Sequence, residues 1–256
     1  MSYYKNGFTL PETLITIGII GIVAALTLPT VMTKTQEHQT VLKVKRIYSL
    51  LQTIEMKMRT EHGEMNLWTD DSLDFFIQEF SKHVKIIKTC KDASKCTKSF
   101  SSTYPAIILA DGTAIGFKRR SPNQSSDTNF HACYTSIRRA NNGYDIHYGS
   151  CAKIMVDING KGKPNKNNYD TFEFRFYTNG VLPNGIKGCT VAAESFEECM
   201  NDLHLRPNMQ GFEFDTGCTA WIVQKENMDY LHCPDKIGWD KASSCKDTVS
   251  YTHLTL

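Results

Sequence analysis

The chain has 256 residues, of which 41% are hydrophobic and 22% charged, and its formal net charge is +2 at pH 7. That length leaves room for one domain with a real core, and so small a net charge argues against a strongly charged partner. All nine cysteines fall between Cys90 and Cys245, a usage that suits an oxidising compartment.

A short polar stretch, Met1 to Asn6, ends at Gly7, and from Phe8 to Leu28 only Glu12 carries a charge. As a helix this run is about 31 Å long, close to the thickness of a bilayer's hydrocarbon core. Lys5 precedes it and Lys34 follows it. A carboxylate in such a run costs a few kcal/mol at the membrane centre and marks a function. A secretory signal peptide, with Ala24-Ala25 as its small-residue cleavage site, is one reading. A plain signal anchor is another. Glu12 and Pro11 oppose the first, and Glu12 opposes the second. Pro11 is sterically harmless in a first helical turn.

The third reading accounts for Gly7, Phe8 and Glu12 together. Gly7-Phe8-Thr9-Leu10-Pro11-Glu12 and the apolar run behind it resemble the class III signal of type IV prepilins and type II secretion pseudopilins. The resemblance covers roughly Gly7 to Thr60 and is most specific from Gly7 to Leu28. Pro11 departs from it, an aliphatic residue being commoner there. Gly21 and Pro29 fall where such pilins often loosen the helix. The resemblance implies cleavage by a prepilin peptidase between Gly7 and Phe8, N-methylation of Phe8, and a pairing of Glu12 with the Phe8 amine of a neighbouring subunit. A buried ion pair broken on one side is strongly destabilising, so such a pair would fix assembly register.

Pro29 interrupts the apolar run, since the residue before a proline is biased away from the α region. Beyond it, Val41, Val44, Ile47, Leu51, Ile54 and Met58 recur at steps of three and four. This spacing predicts one apolar stripe on a helix whose other face is wet. The stripe reads as packing on the domain's own sheet, with a coiled-coil seam as the sharper alternative. Gly63 is the expected stop.

Asp70-Asp71-Ser72 reads as a helix start before Leu73, Phe76, Ile77 and Phe80. Tyr104–Leu109 and Thr113–Phe117 flank Ala110-Asp111-Gly112 and predict a hairpin. Lys153–Ile158 and Thr171–Tyr177 read as strands. In the second, Phe172, Phe174 and Phe176 alternate with Thr171, Glu173, Arg175 and Tyr177, the pattern of a half-buried strand. Ala220–Val223 and Met228–Leu231 are weaker strand candidates, and Val191–Leu205 is a helix or an irregular loop. The expected class is α+β: a long N-terminal helix, membrane-spanning in its first half, packed on an antiparallel β-sheet with disulfide-rich loops. The same architecture follows from the pilin resemblance. The expected division is a leader at 1–7, the helix at 8–62 and an extracytoplasmic globular domain at 63–256. The segments Val156-Asp157-Ile158-Asn159-Gly160, Thr219-Ala220-Trp221-Ile222-Val223 and Asn227-Met228-Asp229-Tyr230-Leu231 further resemble motifs of a subset of pilin-like proteins.

Candidate disulfide pairs are Cys90 with Cys96, Cys189 with Cys199, Cys133 with Cys151, and two of Cys218, Cys233 and Cys245. Spacing does not fix connectivity, and the odd count leaves one thiol free or intermolecular. His131 with Cys133 and His232 beside Cys233 raise a zinc site, but the paired ligand spacings of zinc sites are missing. No hydrolase, metalloprotease or phosphate-loop motif is present, and nothing supports an enzyme. Asp157, Asn159 and Gly162 match positions of a calcium loop, with Asp170 as a further ligand. Lys161 stands where an oxygen ligand belongs and Asn168 where a glutamate does, and Lys161, Lys163 and Lys166 oppose a cation. The competing reading is a polar turn in which Asp157 and Asn159 bond their own backbone. Lys118-Arg119-Arg120 and Arg138-Arg139 read as solvated surface rather than phosphate contacts, so nucleic acid is not an expected partner.

These readings point to a single-pass protein of a bacterial inner membrane that assembles into a type II secretion pseudopilus or a type IV pilus. Its implied partners are other pilin or pseudopilin subunits, the prepilin peptidase, an inner-membrane assembly platform and the bilayer. No cofactor is expected apart from the calcium candidate. The alternative is a membrane-tethered or pilus-displayed binding protein, an adhesin or DNA-uptake receptor, which a large exposed aromatic or basic patch would favour.

Overall fold

A computed structural model describes residues 10–63, 73–100, 104–119, 135–140, 143–148, 152–177, 180–184, 218–238 and 241–247. They fall into two units that divide between Gln39 and Thr40. Helix α1, Leu10–His62, contributes to both. In the first unit its large apolar side chains from Leu10 to Met32 are each more than half exposed. The hydroxyls of Thr13, Thr16, Thr27, Thr33 and Thr35 bond to carbonyls one turn back, so they need no outside partner. The helix runs through Pro29, contrary to the expected interruption. Proline removes one ladder donor and crowds the preceding turn, and the apolar helix formers on either side outweigh that local bias.

In the second unit the predicted stripe is buried: Val41, Val44, Ile47, Leu51, Ile54 and Met58 are each at most 4% exposed. They join the sheet's core, as the packed-helix reading expects. The helix stops at Gly63, whose N–H donates to Arg59 O at 2.8 Å with φ +78. That left-handed conformation is why glycine ends the helix. Helix α2, Leu73–Ser81, buries Phe76 and Phe80 against Phe117 edge to face, at 5.7 and 5.1 Å between ring centres.

The strands are β1 Ile86–Cys90, β2 Ala106–Leu109, β3 Ala114–Arg119, β4 Thr135–Ala140, β5 Gly143–Tyr148, β6 Ala152–Asp157, β7 Thr171–Tyr177 and β8 Gly180–Pro183. Six form an antiparallel sheet in the order β1-β2-β3-β6-β7-β8, while β4 and β5 pair separately. The β2–β3 hairpin turns at Asp111-Gly112, with Thr113 N–H donating to Asp111 Oδ1 at 3.0 Å. Phe117 faces Ile154 and Ile154 faces Phe174 across the ladders. With Phe172, Phe176 and Val156 they make the face covered by α1 and α2. The opposite face is apolar at its β1 end. There Ala106, Ile108, Ala114 and Met155 lie under Cys90, Ala93, Cys96, Phe100 and Tyr104. A sheet covered on both sides must be apolar on both sides, which explains the unbroken burial of β2.

Two strand expectations are corrected. Ala220–Val223 lies in helix α3, Cys218–Lys225, and Met228–Leu231 holds a single 3-10 turn, Asp229–Leu231. Four apolar residues fit either period, so pattern alone could not decide between them. The half-buried reading of β7 is also corrected: Glu173 and Arg175 are as buried as the phenylalanines, at 0% and 1% exposure. Arg175 Nε donates to Glu173 Oε1 at 3.0 Å and Lys153 Nζ lies 3.3 Å from the same oxygen. Alternation reveals two faces but not whether the polar one meets water or an ion pair. Strands β1, β4, β5 and β8 had no sequence expectation. Val191–Leu205 and the capping run 70–72 lie outside the described residues.

Candidate functional site

The amino-terminal segment holds the first candidate site. Gly7 and Phe8 lie outside the described residues. Glu12 sits in the first turn of α1, where a carboxylate is favoured by the helix dipole. Its backbone carbonyl accepts the Thr16 hydroxyl at 2.6 Å. The helix that follows is long and apolar enough to cross a membrane, and none of its most apolar stretch is buried within the protein. A helix that is apolar all round and unburied requires lipid or another helix as its solvent.

Residues 3–28 match the family model for the prokaryotic N-terminal methylation motif. This segment is the hallmark of type IV pilin and pseudopilin prepilin-type processing. The match covers the leader junction and the apolar helix only. Searches of curated proteins and of solved structures match nothing. With that motif, the α+β architecture of a long helix packed on an antiparallel sheet is pilin-like.

The second candidate site is the β6–β7 connection. Asp157 ends β6, and the turn through Ile158, Asn159 and Gly160 brings Asp157, Asn159 and Asp170 together. Gly160 has φ +60, and a Cβ there would stand 2.6 Å from Gly112 O, so only glycine fits. Asp157 Oδ1 accepts from Asn159 N–H at 3.1 Å, while its Oδ2 lies 2.5 Å from Thr97 Oγ1. Asp170 Oδ2 accepts from Asn165 N–H at 2.7 Å and Asn159 Nδ2 at 3.1 Å, and its Oδ1 from Lys166 N–H at 2.7 Å. Every carboxylate oxygen of the pair therefore has a protein hydrogen-bond partner. These contacts include the backbone-bonded polar turn of the competing reading, Asp157 accepting from the N–H of Asn159.

Burial pushes both carboxyls above the ordinary aspartate range. Hydrogen bonds from Thr97, Ser99 and Asn159 oppose this at Asp157, and the charge of Asp170 adds to it. The contacts of Thr97 agree. Its Oγ1 also lies 2.7 Å from Gly160 O and accepts from Ser99 N–H at 3.2 Å. One hydroxyl proton cannot serve a carboxylate and a carbonyl at full strength. A proton on Asp157 Oδ2 would relieve this sharing, the acid then donating to Thr97 and Thr97 to Gly160 O.

The sequence reading missed a third cluster. Glu79, buried on α2, holds His62 Nε2 at 2.9 Å and Lys82 Nζ at 2.5 Å. Glu61, His62 and Glu79 place possible ligand atoms within 4.8 Å of one another, but the Lys82 ammonium already supplies the positive charge. The cluster ties the end of α1 to α2. The signal is nonlocal, since His62 and Glu79 belong to different helices.

Disulfides join Cys90 to Cys96 and Cys233 to Cys245, and Cys218 is also disulfide-bonded. Cys133, Cys151, Cys189 and Cys199 lie outside the described residues, as does Arg120. Lys118 and Arg119 belong to β3, and Arg138 and Arg139 to β4.

Proposed function

We propose that the chain is a prepilin whose mature form is a structural subunit of a pilus or pseudopilus. A prepilin peptidase cuts between Gly7 and Phe8 and methylates the Phe8 amine. The apolar part of α1 holds the subunit in the inner membrane with the globular domain outside the cytoplasm. An assembly platform then draws the subunit into a filament, where α1 packs against the helices of its neighbours. One observation carries the reading: the methylation motif at residues 3–28 falls on the unburied apolar part of a helix long enough to cross a membrane.

Glu12 is the assembly residue in this reading. In a filament core the Phe8 ammonium of a neighbour is desolvated, and a carboxylate offsets that cost only if it is held in register. The work of the protein is then mechanical, with no reaction step of its own. Expression with a prepilin peptidase, followed by mass spectrometry of the amino-terminal peptide, tests the proposal. Methylated Phe8 is the expected first residue. An unprocessed Met1 terminus, or a start near Leu26, would overturn it.

A further inference from the structure

The net charge of +2 conceals an uneven distribution. Residues 82–98 hold six lysines, Lys82, Lys85, Lys88, Lys91, Lys95 and Lys98, and one acid, Asp92. That stretch carries +5, while the other 23 basic and 26 acidic residues give −3. Structurally the stretch is one place. It enters β1, the edge strand of the six-stranded sheet, and continues into the loop closed by Cys90–Cys96. All six lysines are exposed.

Their charge is uncommitted apart from Lys82, which is paired with Glu79. Among the described residues no carboxylate pairs with the other five. Lys88 Nζ donates to Lys95 O at 3.2 Å, a contact that leaves its charge in place. Asp92 Oδ1 accepts from Ser94 N–H at 3.0 Å and from the Ser94 hydroxyl at 2.6 Å, so the lone acid is engaged in capping its own turn. Lysines often guard a sheet edge against pairing with other chains. That role accounts for Lys85 and Lys88, but not for Lys91, Lys95 and Lys98, which lie past the strand.

We propose that the β1 edge and its disulfide-closed loop form a docking surface for the phosphate backbone of double-stranded nucleic acid. Five unpaired ammonium groups on a framework fixed by a sheet edge and a disulfide match a densely charged polyanion. The surface lacks the parts needed by the alternatives. Among its described residues there is no exposed aromatic on which single-stranded bases would stack. Residues 82–98 contain no arginine to read base edges bidentately, so binding through them is independent of sequence. Among its described residues Ile87 is the one exposed large apolar side chain, less than an interfacial membrane anchor requires. The proposal is independent of amino-terminal processing.

The full chain in zwitterionic nanodiscs, titrated with a labelled mixed-sequence duplex, provides the test. Five phosphate contacts give a slope of about −4.5 in log K against log salt, or a loss of about 500-fold between 50 and 200 mM salt. Replacing Lys85, Lys88, Lys91, Lys95 and Lys98 by Gln should abolish most of that slope. Replacing the exposed loop lysines Lys161, Lys163 and Lys166 by Gln should leave it nearly unchanged. The five-lysine variant should keep the wild-type circular dichroism, because none of the five positions is buried. No duplex binding at 50 mM salt would overturn the proposal. So would equal losses in the two lysine variants, tighter binding of a single strand of equal length, or binding to anionic nanodiscs without binding to duplex.

Discussion

Replacing Asp157 by Asn removes a titrating group while keeping the shape of the side chain. Asp157 is fully buried, and the Thr97 contacts are satisfied when its carboxyl holds a proton. An amide reproduces that arrangement, since its NH2 donates to Thr97 Oγ1 and its oxygen still accepts from Asn159 N–H. At acid pH the substitution should therefore change stability by no more than about 1 kcal/mol, the net worth of one exchanged hydrogen bond. The sign of the pH dependence follows from the raised carboxyl. Between the ordinary aspartate range and the raised value, the folded state keeps a proton that the unfolded state releases. Stability from this group is complete below that window and is lost as pH rises through it. The slope reaches about 1.4 kcal/mol per pH unit for one proton. Urea unfolding of the full chain in detergent, followed by tryptophan fluorescence from pH 4 to 8, gives the comparison. The difference between wild type and Asp157→Asn reports that group together with its coupling to Asp170. The variant should gain on the wild type as pH rises. Parallel pH profiles, with the variant weaker throughout, would show that Asp157 is ionised in the fold and that the reading of Thr97 is wrong.

Asp170→Asn should be destabilising, because N–H donors face both of its oxygens. An amide NH2 turned toward them leaves a buried donor unmet, at a cost of about 1–3 kcal/mol in the same unfolding experiment. Ile54→Ala, at a fully buried position of the α1 stripe, should lose about 2–5 kcal/mol with membrane insertion unchanged. Glu12→Gln should leave insertion intact or ease it by up to about 3 kcal/mol, yet lower filament incorporation when co-expressed with partner pilins. Equal incorporation of mutant and wild type would remove the assembly role. Alkylation before and after reduction should find Cys90, Cys96, Cys218, Cys233 and Cys245 protected until reductant is added.

Much of this protein was fixed by local rules that a sequence displays. The apolar run, its single acid and its junction at Gly7 are contiguous, so the methylation motif could be read directly. The stripe from Val41 to Met58 obeys a 3.6-residue period, and its burial followed because one face of that helix had to leave water. Asp111-Gly112 and Gly63 marked their turns because few residues adopt those conformations.

Tertiary structure decided what depends on contacts between distant segments. Glu173 and Arg175 looked like a wet face until the ion pair and the covering α3 made it an interior one. The run at 220–223 was too short for its period to choose between strand and helix, and packing chose helix. Asp157, Asn159 and Asp170 were close enough in sequence to suggest a common loop. Thr97, 60 residues away, was not, although its hydroxyl meets Asp157 Oδ2. The whole-chain charge likewise pointed away from a polyanion. The edge position of β1 and the closed loop after it expose the five lysines of one short stretch; net charge is a sum, and binding depends on where the charges stand.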